Sequence, residues 1–309
     1  MSTTLTKRPS TFPTVARARR GSWDWLMEPT PRRSQVVGSP QHAAAAERIE
    51  RTAWRDLVCA AGEHLRERFG IRCEARRGAL SVRATGVDNL LFNRTFGLPA
   101  DADRGLVEAA LDGYRDRGIR RFWIHVGPGG RHGRLGRLLG ERGVTPFRRS
   151  MVKLARPLAE VEQPVATGLE IRAVRRPEAL QAGGLLARVF DMHAGAGVLL
   201  ASLVGREGWS VLGAFSGPTL VAAGALFVAG EVGCLVMSAT DPGHRRRGSH
   251  QALMAARLRE ARRRGCRLAT TETGEPLSDS DDPSLRNMRR FGFQPVALRE
   301  SWGPTGLTW

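Results

Sequence analysis

The segment Asp241-Pro-Gly-His-Arg-Arg-Arg-Gly-Ser-His250 places three consecutive arginines and a glycine between an apolar run, Gly233-Cys-Leu-Val-Met-Ser238, and a helix expected over 251–264. The first N–H groups of a helix have no internal acceptor and carry the positive end of the macrodipole, so they hold phosphate oxygens. Gly248 lets the main chain approach an anion, and Arg245, Arg246 and Arg247 supply charged donors, followed by Ser249 and His250. The chemistry that fits is capture of a pyrophosphate-bearing cofactor; the alternative is an arginine-rich helix start with no ligand.

Two later groups fit a transfer reaction. Glu272 ends the next strand, where a carboxylate beside a cleft can take a proton as a general base, directly or through water. Its alternative role is an ion pair with a nearby arginine. Asn287-Met-Arg-Arg-Phe-Gly-Phe293 closes the following helix, and Asn287 is placed either to bond a cofactor amide or to orient that helix. Between them lies an acidic stretch in a basic chain. Asp282 before Pro283 caps the helix. Glu275, Asp279 and Asp281 are left as solvated loop acids or as a rim that draws in a cationic amine.

The Arg245-x-x-Gly248 loop resembles the acyl-coenzyme A loop of the GNAT N-acetyltransferases, matching it at Pro242, Arg245, Arg247, Gly248 and Leu253 and departing from it at His250. The order strand, loop, helix, strand, helix, Gly-Phe, strand is similar to that family as well. Asn93-Arg-Thr-Phe-Gly-Leu98 extends the resemblance to tandem bacterial acetyltransferases over roughly residues 45–303. The resemblance implies acetyl-coenzyme A as donor, with Val236, Met237 and Ser238 on a splayed strand offering main-chain groups to the pantetheine arm. It also implies direct attack by an amine in a ternary complex, in which Glu272, from its place at the strand end, is the candidate general base; no metal is expected. The family tyrosine that protonates the leaving thiolate corresponds to Met288 here, which leaves Ser284, His244 or water for that task.

Size and composition agree with this. The chain has 309 residues, enough for two domains, and a formal charge of +18. Of its 48 basic residues only Lys7 and Lys153 are lysine; with abundant Gly and Ala this reads as the bias of a GC-rich bacterial genome. Arginines spread along the chain favour non-specific polyanion binding but form no nucleic-acid motif. Cys59, Cys73, Cys234 and Cys266 are widely spaced, which argues against disulfides and zinc and for a cytoplasmic setting. The apolar run at 219–229 is too short to cross a bilayer.

The elements that position these residues fall into two similar halves. Residues 1–42 read as a disordered basic tail, 43–157 as a degenerate GNAT-like domain, 158–167 as a linker and 168–309 as the cofactor-binding domain. The expected fold is α/β (α+β): two tandem GNAT-like units, each a mixed, mostly antiparallel sheet flanked by helices. In the first half a helix is expected over 43–69, with strands at 72–76, 79–85, 89–95, 120–126 and 150–155 and helices at 104–117 and 133–141. Gly118 and Gly265 stop equivalent helices, and Gly143-x-x-Pro146 and Gly292-x-x-Pro295 follow them by 25 and 27 residues, the mark of a duplication. The loop at 97–103, where a first-half phosphate loop would lie, has two acids and no arginine; the glycine-rich 127–133 reads as a flexible turn. A coenzyme-binding module without turnover and a nucleic-acid-binding protein remain the alternatives to an enzyme.

Overall fold

The computed structural model describes residues 36–59, 61–127, 132–147, 149–159, 164–276 and 282–307. Nearly all of the expected tail, part of the linker, most of the 127–133 turn, and Asp279 and Asp281 lie outside them.

The chain enters through α1 (Pro40–Trp54), with proline in the first turn and Ser39 accepting from the His42 N–H as N-cap. Ala46, Ile49, Ala53 and Trp54 form its buried stripe. The single helix expected over 43–69 is interrupted. A π-helical turn at Arg55–Cys59 precedes a separate short helix, α2 (Glu63–Arg68). This break turns the chain back so that Cys59 meets Cys73 on β1 (Ile71–Arg76), and the two form a disulfide with Cα atoms 5.7 Å apart. The spacing argument against disulfides therefore fails for this pair.

The first half continues with β2 (Ala79–Ala84), β3 (Arg94–Leu98), α3 (Arg104–Arg115), β4 (Trp123–Val126), α4 (Arg134–Gly140), β5 (Val144–Pro146) and β6 (Met151–Pro157). The strand expected from 89 begins only at Arg94. Asn93 accepts from the Ala84 N–H and donates to the Val87 carbonyl, and Asn89 accepts from the Leu91 N–H, which fixes a turn in front of the strand. The second half contains β7 (Glu170–Ala173), α5 (Ala179–Val189), α6 (Ala194–Ala201), β8 (Trp209–Ser216), β9 (Thr219–Ala229), β10 (Val232–Thr240), α7 (Ser249–Arg263), β11 (Leu268–Gly274), α8 (Pro283–Arg290) and β12 (Gln294–Pro304).

Among the described residues the strands form one continuous path, β1-β2-β3-β4-β12-β6-β11-β10-β9-β8-β7, with β5 also on β12. Only β3/β4 and β10/β11 are parallel, so each half holds one strand–helix–strand unit, β3-α3-β4 or β10-α7-β11, in an otherwise antiparallel sheet. The halves exchange strands. β6 lies between β11 and β12, while β12 pairs with β6 as far as Arg299 and then with β4 and β5 from Glu300 onward. The division drawn at 157/158 thus separates two stretches of chain whose sheets share a strand. α1 packs on β6 and β10 of the second sheet. Asp56 in the π-turn accepts from Trp209 Nε1 at 2.7 Å and pairs with Arg206 at 3.1 Å, fastening the first half to the second.

Candidate functional site

β10 and β11 stay paired for three residues, Val232 with Leu268, Gly233 with Ala269 and Cys234 with Thr270, and then part. β10 follows β9 through a bulge between Val236 and Ser238, where Met237 has φ 44°. β11 follows β6 as far as Gly274. The gap opens into a mostly apolar cavity of ≈ 210 Å³, with Val236, Met237 and Ser238 on one wall and Thr271, Glu272 and Thr273 on the other. Trp54, Leu91 and Trp123 from the first half also line it.

Past the end of β10, Asp241 accepts from the Gly243 N–H at 3.0 Å and caps a 3-10 turn, Pro242–His244. Arg246 (φ 64°) and Gly248 (φ 76°) then adopt left-handed conformations that double the chain back into α7. Gly248 provides no side-chain cap, so the N–H groups opening α7 remain available to a ligand. Arg245, Arg246, Gly248, Ser249, His250 and Asn287 line an open cleft of ≈ 600 Å³. Arg247 stands outside that lining; its carbonyl accepts from Thr167 Oγ1 at 2.9 Å and ties the linker to the loop. Phe190, Ser238, His250 and Ser284 belong to both cleft and cavity, so the two are continuous.

Five charged side chains from five elements meet beside the cavity. Arg299 (β12) and Lys153 (β6) both donate to Glu50 (α1), and both also reach Oε2 of Glu272 (β11), at 2.6 and 3.1 Å. Arg94 (β3) donates to Glu50 at 3.5 Å and lies 3.8 Å over the Trp54 ring. Burial works against the Glu50 charge, but Arg299, Lys153 and Arg94 outweigh it and hold the carboxyl well below the usual range. Glu272 Oε1 makes no hydrogen bond within the described protein.

The Acetyltransferase (GNAT) family matches residues 191–293. Residues 191–293, from just after α5 to just past α8, thus carry a GNAT acetyltransferase domain. Its fold is similar to a GCN5-related N-acetyltransferase from Kribbella flavida (TM-score 0.58, 19% identity, 85% of this chain and 96% of that one). It is also similar to a GCN5-related N-acetyltransferase from Sphaerobacter thermophilus (TM-score 0.53, 16% identity, 86% and 93%). A tandem GNAT protein from the clavulanic acid biosynthesis pathway aligns with TM-score 0.50 and 16% identity over 86% and 96%. No curated protein sequence matches this one.

His250 and Met288, the two departures seen in the loop and late helix, both line the cavity. Met288 is buried in the cavity wall, and the sole tyrosine, Tyr114, is buried far away in sequence, stacked on Phe122 and bonded to Thr95. His250 is set by a short relay. Gln251 donates to Asn287 Oδ1, and Asn287 Nδ2 donates to His250 Nδ1 at 3.2 Å, which assigns the proton to Nε2. Burial, helped by Arg257, takes the imidazole down to about 4, so it is neutral at physiological pH. His244 pairs with Asp241 instead and lines neither cleft nor cavity. Cys234 is buried and its thiol is pushed up to about 12, which excludes it as a nucleophile.

Other expectations are altered. Glu275 is buried rather than part of an exposed rim, with its N–H donating to the Ser150 carbonyl. Asp282 caps α8 and pairs with Arg149 at 3.3 Å. In the first half, β3 and β4 pair at Arg94/Trp123 and Thr95/Ile124 and, after a register shift, meet again at Leu98/Val126, whereas β10 and β11 do not pair again beyond Cys234/Thr270. Asp103 caps α3 by accepting from the Leu106 N–H and pairs with Arg77. Sequence reasoning missed Glu50, Trp54, Lys153, Arg257 and Arg299. Glu50 inside the apolar stripe of α1 and Lys153 inside an apolar strand were the available signals, because charge on a buried face needs a partner.

Proposed function

We propose that this GNAT protein is an N-acyltransferase that moves an acetyl group from acetyl-coenzyme A to a small cationic amine within a ternary complex. The observation carrying this reading is the unbroken path from the uncapped N-terminus of α7, through the β10/β11 gap, to the uncommitted Oε1 of Glu272. Arg245, Arg246 and the first N–H groups of α7 would hold the pyrophosphate, and the main chain at Val236–Ser238 and the Asn287 amide would meet the pantetheine arm. When bound, the coenzyme supplies a thioester open to attack by an amine.

Glu272 Oε1 receives the acceptor's ammonium and then its proton, directly or through water, while Lys153 and Arg299 hold Oε2 in place. His250 Nε2–H and the Ser238 and Ser284 hydroxyls, which line both spaces, are the polar donors at the junction, where Met288 fills the tyrosine position. The first half is a degenerate partner that supplies walls rather than a second cofactor site. A second reading, a coenzyme-binding module without turnover, is favoured by Met288 alone. The cytoplasmic setting is part of the proposal, and the Cys59–Cys73 bond is the observation against it. Mass-spectrometric detection of acetylated products across an amine library separates the two readings. Coenzyme binding with no product from any amine class would favour the module.

A further inference from the structure

Arg257, on the face of α7 that packs against the sheet, is 2% exposed and lines the cavity. Its Nε donates to the Leu253 carbonyl at 3.2 Å and Nη1 to the Ala225 carbonyl at 3.3 Å. Nη2 has no hydrogen-bond partner, and no carboxylate pairs with this guanidinium among the described residues. Burial lowers it only to about 10, so it stays charged at neutral pH. The other buried cations of the cavity region are matched: Lys153 and Arg299 both serve Glu50 and Glu272. An isolated buried cation is costly unless something completes it.

A second donor without a partner lies close to it, on the other side of Gly224. Gly224 on β9 faces Ser238 across the β9/β10 pairing, and a Cβ at Gly224 would lie 3.0 Å from Arg257 Cζ and 3.1 Å from Ser238 Oγ. Ser238 Oγ is itself buried with no hydrogen-bond partner. A charged donor and a hydroxyl donor, both incomplete, therefore converge at the bulge where cleft and cavity join.

We infer that Arg257 and Ser238 form a binding site for a carboxylate, carried either by the transferred acyl chain or by the acceptor. This rests on the acyl-transfer reading, since the slot's two occupants are what bring the carboxylate. It shifts the preferred reactants from acetyl and a simple amine to a dicarboxylic acyl thioester or an amino-acid amine. Guanidinium with hydroxyl suits a carboxylate, because both donors are satisfied by its two oxygens.

Calorimetry with matched pairs tests this and distinguishes the sources. Coenzyme A is titrated first; succinyl- against butyryl-coenzyme A is the donor arm. Phenylalanine against phenethylamine, on coenzyme-saturated protein, is the acceptor arm. The carboxylate-bearing member should bind at least about tenfold more tightly in one arm, the size expected of one charge-assisted pair. Arg257→Met should erase that preference and Arg257→Lys retain part of it; if the methionine variant does not fold, the wild-type ratio and the lysine variant carry the result. Equal affinities within each pair, or a preference that survives in folded Arg257→Met, overturn the site. Failure of coenzyme A itself to bind would instead overturn the acyl-transfer reading.

Discussion

Arg299 Nη2 donates to Glu272 Oε2 at 2.6 Å, so the strand that bridges the two sheets also fixes the carboxylate at the mouth of the acceptor cavity. Exchange of strands between the halves thereby acts on the chemistry as well as on the fold. The first half reaches Glu272 through Lys153, which Glu50 of α1 holds in turn.

Glu272→Gln keeps the shape of the side chain and removes its charge. With an accepted amine, kcat should fall by about a hundredfold or more, the usual loss on removing a general base. Steady-state kinetics reads this directly, and an unchanged kcat would assign the proton to another group or to water.

Glu50 is the anion on which Arg94, Lys153 and Arg299 converge. Glu50→Gln leaves three buried cations facing one another and should cost about 3–5 kcal/mol in urea unfolding. A loss under ~1 kcal/mol would show that the cluster is solvated or rearranged.

Acidification should destabilise the protein in two stages. Burial takes His250 down to about 4, with Arg257 adding to it, and burial likewise takes His125 well below its free value of 6.5, reinforced by Arg299 and Arg94. Both folded-state values are depressed, so the unfolded chain binds protons first and stability falls as pH drops below about 6.5. His250 alone accounts for roughly 3 kcal/mol by pH 4. Glu50, depressed by the cluster, adds a second loss that begins below its free value of 4.5. Urea midpoints at pH 7.5, 6 and 5 should decline in wild type and decline less in His250→Gln; a flat profile would place both imidazoles in contact with water.

The Cys59–Cys73 disulfide closes a loop of 14 residues across the π-turn, α2 and β1. Its reduction, or Cys73→Ser, should lower stability by about 3 kcal/mol on the loop-entropy estimate. Equal melting temperatures with and without reductant would mean that the bond is absent in solution.

What could be read from sequence follows the range of the interactions involved. The loop at Arg245–Gly248, the α7 and α8 boundaries and the repeat around Gly118 and Gly265 are set by neighbours a few residues apart. They were legible because helix stops, caps and left-handed glycines are local. The pairing of β6 between β11 and β12 was not, since nothing in Met151–Pro157 indicates a partner more than a hundred residues away. The same holds for Glu272: its place near the end of a strand was legible, but its pairing with Lys153 and Arg299 depends on the exchanged strands. Arg257 was hidden among the thirteen arginines between 245 and 299, most of them exposed, and its burial, shared only with Arg299, was not legible.

The α7 loop of the second half is proposed as one coenzyme site per chain. Calorimetric titration of coenzyme A onto the full-length protein tests it most directly. The expected stoichiometry is one, with a loss of at least about tenfold in affinity in Arg245→Glu with Arg246→Glu, where repulsion replaces attraction. Two sites per chain, or one site indifferent to that charge reversal in a folded protein, would contradict it.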